Sequence, residues 1–137
     1  MKCIYLSLTT LFLLFPLLFF FRNNKKTIYE FGLSFLLAAN LILSFSFWMR
    51  PIENSSIHFY DGIFAKISYV VFSIYILFVK HIGIKLRLFS LAILLAASSA
   101  FYYSNYYSKM DWCSDIHFLW HSIFHFLCGV GCSIAFV

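Results

Sequence analysis

Three histidines, His117, His121 and His125, recur every fourth residue inside the run Asp111 to Cys132. On a helix of 3.6 residues per turn each step of four turns the side chain by only about 40°, so the three imidazoles stand on one stripe. Two imidazoles at that spacing can share one metal ion, and Cys128 and Cys132 continue the stripe. The surrounding residues are apolar. Ionisable groups at membrane depth are costly, which makes them functional candidates by default. The rest of the chain must then supply partners to the row and elements to hold it.

Composition says what kind of elements these are. The chain has 137 residues, 63% hydrophobic and 11% charged, with the charges gathered in short clusters between apolar runs. That is the distribution of an integral membrane protein. The net charge of +5 sits in the connections, where it speaks to orientation and lipid headgroups, and no nucleic-acid-binding motif is present. Four cysteines without a Cys-x-x-Cys motif do not suggest a disulfide framework, and Cys128 and Cys132 read as small hydrophobes beside the glycines of a packed helix.

The apolar runs predict an all-α bundle of about five transmembrane helices forming one domain over 1–137, with spans near 4–21, 31–48, 59–79, 88–101 and 116–137. The first resembles a signal-peptide core but lacks a small-x-small cleavage site before Arg22, and it is read as an uncleaved helix. The second carries Asn40 and Ser44 on one face and stops at Arg50-Pro51. The third opens on His58 and Asp61, with Lys66 either paired to Asp61 or snorkelling to the interface. The fourth is rich in Ala and Ser and is followed by a tyrosine cluster suited to the headgroup level.

Spans alternate direction. Connections one and three carry six cations (Arg22, Lys25, Lys26, Lys80, Lys85 and Arg87) against two (Arg50 and Lys109) in connections two and four. The positive-inside bias puts the N-terminus outside or lumenal and the C-terminus in the cytoplasm. Ser44, His58, Asp61 and the histidine row then share one side of the membrane, with His81 opposite.

That grouping suggests a zinc centre: His121 and His125 from one helix, His58 as third ligand, His117 in reserve, and the fourth position open to water. Asp61 would take the water's proton or orient an imidazole, and Ser44 would donate to a developing oxyanion. The expected function is hydrolysis of a lipid amide or ester, with membrane lipids as surroundings and substrate. The alternatives are a non-catalytic receptor-like or scaffold protein, or a haem or redox bundle using histidines from facing helices.

Ser44, Asp61 and the run Trp120-His121-Ser122-Ile123-Phe124-His125-Phe126 resemble the CREST-type membrane hydrolase superfamily, which joins alkaline ceramidases to progestin and adipoQ receptors and proteins of lipid-anchor remodelling. The resemblance covers roughly positions 40–61 and 111–126. It implies a seven-helix bundle with zinc on three histidines beside a serine and an aspartate, Ser44 and Asp61 matching those two, and His121 with His125 the terminal zinc pair. Trp48 stands where the family carries a histidine four residues after the serine. The chain has about five spans where the family has seven, so two family helices are missing or a helical partner or second copy supplies them.

Overall fold

The computed structural model describes residues 2–137, with Met1 outside them. Five helices long and apolar enough to cross a membrane account for the fold: α1 (Cys3–Arg22), α2 (Ile28–Met49), α3 (Ser56–Val79), α4 (Ile84–Met110) and α5 (Asp115–Phe136). Among the described residues there is no strand. The chain is thus an all-α, multi-pass membrane bundle, as the hydropathy pattern predicts.

Polar residues set where most of these helices start. Thr27 caps α2 in a reciprocal capping box with Glu30: the Glu30 N–H donates to Thr27 Oγ1 at 3.2 Å and the Thr27 N–H to Glu30 Oε2 at 2.9 Å. Ser55 caps α3 and Ser114 caps α5, each accepting from the backbone N–H three residues on. α4 runs nine residues past the expected end at 101, because Tyr102 to Met110 contains no glycine or proline to stop it. The tyrosines expected beyond the helix therefore ride on its last turns. At its far end α3 widens into a π turn over Tyr75–Val79, with the Lys80 N–H donating to the Tyr75 carbonyl at 2.8 Å.

α2 packs mainly on α3, and α4 on α5; α1 lies between the pairs, against α2 and α5. α1 is not smooth: a tight 3-10 turn at Leu11–Leu13 precedes Pro16, whose missing N–H the change of pitch accommodates. One face of it is buried through Cys3, Leu6, Thr10, Leu13 and Phe20, so the first apolar run is an integral helix of the bundle. It comes close to α5 at Gly129, where a Cβ would lie 2.6 Å from the Phe12 carbonyl oxygen. Only glycine lets the two backbones meet there.

Both ends of the bundle are tied. At one end a disulfide joins Cys3 to Cys113, 110 residues apart, where the sequence pointed to no disulfide framework. At the other, buried Glu30 meets Lys80 at 3.2 Å, and Lys80 Nζ also donates to the Ala135 carbonyl at 2.7 Å. Lys80 thereby satisfies a carbonyl that the end of α5 leaves without a helical partner.

Candidate functional site

α2 contributes Asn40, Ser44, Phe47 and Trp48 to the interior, all buried. Ser44 and Trp48 are one turn apart, as are His125 and His121 on the facing helix, so the contacts form two tiers. In the outer tier the Trp48 indole meets the His121 ring edge to face, with centroids 4.7 Å apart. In the inner tier Ser44 and His125 line one cavity of about 100 Å³ together with Asn40, Ser68, Tyr69 and Cys128. The remaining lining is mostly aliphatic and aromatic, from Leu37 at one end to Leu127 and Ile93 across it.

Asp61 and Ser44, matched from sequence alone, are bonded: the Ser44 hydroxyl donates to Asp61 Oδ1 at 2.5 Å. One turn from Ser44 on α2 and two turns from Asp61 on α3, the Asn40 amide donates to Ser68 Oγ, so the two helices are joined by two polar rungs. The alternative that Asp61 pairs with Lys66 is overturned, because Asp61 turns inward to Ser44 while Lys66 lies on the lipid-facing surface.

The histidine row divides by hydrogen bonding. His125 Nδ1 is 2.7 Å from Thr9 Oγ1, and that hydroxyl spends its own proton on the Leu6 carbonyl at 2.9 Å. Thr9 therefore accepts from His125 Nδ1–H, which leaves the lone pair of a neutral ring on Nε2. His121 Nδ1 lies 2.8 Å from Ser104 Oγ of α4, and its ring is 4.6 Å from that of His125. These two imidazoles are adjacent and held from behind by hydroxyls on α1 and α4.

His58 and His117 have a different job. Each is the third residue of its helix, behind a capping serine, and each accepts at Nδ1 from the backbone N–H of the residue before that serine: Asn54 for His58 at 3.1 Å, Cys113 for His117 at 3.2 Å. Asn54 and Cys113 are the described non-glycine residues with positive φ, 59° and 66°. The same local fold is written twice in the sequence, as Asn54-Ser-Ser-Ile-His-Phe and Cys113-Ser-Asp-Ile-His-Phe. Nδ1 is occupied by a donor, so the proton of a neutral ring sits on Nε2 and neither nitrogen presents a lone pair. His58 also stacks on Phe47, with centroids 4.6 Å apart and planes 3° from parallel.

The zinc set expected from sequence can now be tested against these positions. His121 and His125 fit a metal as two ligands, but His58 and the reserve His117 are engaged in capping, and Trp48 fills the place of the histidine implied by the resemblance. Among the described residues no three His, Cys, Asp or Glu side chains are gathered to hold a metal ion. The donors present do not complete a zinc site in this arrangement.

The sequence reading missed Thr9 and Ser104, the two hydroxyls behind the imidazoles. Ser7, Thr9 and Thr10 interrupt an otherwise apolar first span, and that interruption was the available signal. Above the outer tier Phe47, Trp48, Trp112 and His117 form an aromatic cap covered by the disulfide. Trp48 Nε1 is buried within it without a hydrogen-bond acceptor. No family model matches the chain, and no curated protein or solved structure matches it either.

Proposed function

We propose that the chain is a lipid-binding membrane protein that holds an acyl chain between its helix pairs, with the lipid's amide N–H or a hydroxyl at Ser44, Asp61 and His125. One observation carries this reading: an apolar cavity inside the bundle into which Ser44 and His125 project from facing helices. A binding site of that kind, mostly apolar with a few convergent polar groups, suits an amphiphile whose polar end brings an N–H or O–H to acceptors. Ser44 Oγ, whose own proton goes to Asp61, and His125 Nε2 supply the two lone pairs. No bond-breaking step is needed, which agrees with Trp48 in place of a metal ligand.

Zinc-dependent hydrolysis of the same lipid class is the second reading. It is favoured by the Ser44–Asp61 bond and the adjacent His121 and His125 rings, at the positions the superfamily resemblance singles out. The disulfide supports the orientation drawn from the cations, since Cys3 and Cys113 would lie on the outside or lumenal face, where disulfides persist.

The test uses the full chain in nanodiscs with a photoactivatable ceramide and a photoactivatable phospholipid. Labelling is expected on cavity residues of α3 to α5. It should be lost in Ala97→Phe, which fills the cavity, and kept in Ala92→Phe on the exposed side of α4. Undiminished labelling of Ala97→Phe sinks the binding reading. Stoichiometric zinc that disappears in His121→Ala, together with turnover of either lipid, transfers the assignment to the hydrolase.

A further inference from the structure

Lys66 faces lipid on α3. It lies ten residues into a helix that begins at Ser56, about 15 Å along the axis and close to the middle of a hydrocarbon layer about 30 Å thick. A lysine stem falls well short of the interface from there, and Asp61, the carboxylate one turn away, is taken by Ser44. Among the described residues Lys66 has neither an ion pair nor a hydrogen bond, and a lone ammonium in hydrocarbon calls for a counter-charge from outside the chain.

The surface around it is shaped to receive one. A groove of about 240 Å³ runs between α3 and α4, walled by Ala65, Lys66, Val70, Ser98 and Phe101, with Phe124 of α5 beneath. Tyr69 bridges its floor, its hydroxyl 2.5 Å from Ser98 Oγ and donating to the Leu94 carbonyl at 3.1 Å. One turn outward from Lys66, a Cβ on Gly62 would meet nothing within 4 Å. Small residues beside a helix–helix groove let another backbone come close, which strengthens packing where lipid is the solvent.

We propose that this groove is the docking surface for a transmembrane helix of another protein, one that carries an aspartate or glutamate at the depth of Lys66. A second copy of this chain does not meet the requirement. Its one acidic side chain at comparable depth, Asp61, is buried against Ser44, while Glu30, in the first turn of α2, is paired with Lys80, and Glu53, Asp111 and Asp115 lie at or beyond helix ends. The docked helix would also wall the cavity on the side where α3 and α4 are held together by Tyr69.

The test measures energy transfer in zwitterionic vesicles between the labelled full chain and synthetic leucine–alanine transmembrane helices of about twenty residues. One helix carries a central Asp, one a central Leu and one a central Lys. The wild type should bind the Asp helix roughly tenfold more tightly than the Leu helix, the size of one charge-assisted contact. Lys66→Arg should keep that preference, Lys66→Met should lose it, and Lys66→Glu should transfer it to the Lys helix. Val70→Trp, which crowds the groove and leaves the charge, should weaken all binding. Equal affinity of the wild type for the Asp and Leu helices, or a preference that survives in Lys66→Met, overturns the proposal. So does a preference abolished by adding phosphatidylglycerol, because Lys66 would then serve a lipid headgroup.

Discussion

Replacing Gly129 by alanine tests the packing on which the inner tier depends. In the helix interior alanine is favoured over glycine by about 1 kcal/mol, so with open space around it the change would stabilise. At Gly129 the new Cβ would stand 2.6 Å from the Phe12 carbonyl oxygen and 3.1 Å from its carbon, both backbone atoms that cannot rotate away. Ordinary contact begins near 3.4 Å, so α1 and α5 must separate by about 0.8 Å. Such a shift strains the Thr9–His125 bond and the edge-to-face pair of Phe12 with Phe126, centroids 5.4 Å apart. Overpacking of this kind costs about 1–3 kcal/mol, which exceeds or cancels the propensity gain. Gly32, with nothing within 4 Å of its would-be Cβ, supplies the comparison. Thermal unfolding in detergent, followed by tryptophan fluorescence, should place Gly129→Ala below wild type and Gly32→Ala at or above it. A Gly129→Ala protein as stable as Gly32→Ala would falsify the close approach of α1 to α5.

Three further outcomes follow from the bonds described above. Ser44→Ala should destabilise by about 1–3 kcal/mol because it leaves a buried carboxyl without its donor; Ser44→Ala with Asp61→Leu should cost less than the two single changes added together, and strict additivity in a double-mutant cycle would refute the pairing. Removing a capping interaction by His58→Ala should cost about 0.5–2 kcal/mol without altering any zinc content, whereas a metal ligand would lower zinc when removed; metal analysis beside a melting curve separates the two. Reduction of Cys3–Cys113 should lower stability by about 2–4 kcal/mol and raise the number of alkylatable thiols from the free pair Cys128 and Cys132; the gain stays modest for so long a loop because inserted helices already restrict the denatured chain. Unfolding curves that coincide with and without reductant would count against the clamp.

The five spans were legible because hydrocarbon imposes length and composition directly on sequence. That Ser44 and Asp61 belong to one site was legible from the resemblance, but their direct bond was not, since a carboxyl just inside an apolar helix points first to a cation such as Lys66. The capping place of His58 was not legible, for an equally physical reason. An imidazole at the third position of a helix can ligate a metal or reach back to cap the backbone, and residue type alone does not distinguish these. The repeated Ser-x-Ile-His-Phe carried the distinction, since two helices beginning with the same words point to a shared local structure. The cysteine pair escaped notice because 110 residues of chain separate its members, and only the packing of α1 against α5 brings them together. Ser104 was hidden by the assumption that the tyrosine cluster lies outside the fourth helix.

The covalent bond between Cys3 and Cys113 closes four of the five helices into a loop of chain, leaving α5 as its tail. A protease that nicked any one of the connections after Arg22, Met49 or Val79 would therefore release nothing. The fragments would remain a single molecule, separating only after both the fold and the sulfur bond were undone. The same closure means that chain ends opened at one of those connections would still belong to one covalently joined molecule, with the start of α1 held beside the start of α5 by the sulfur atoms.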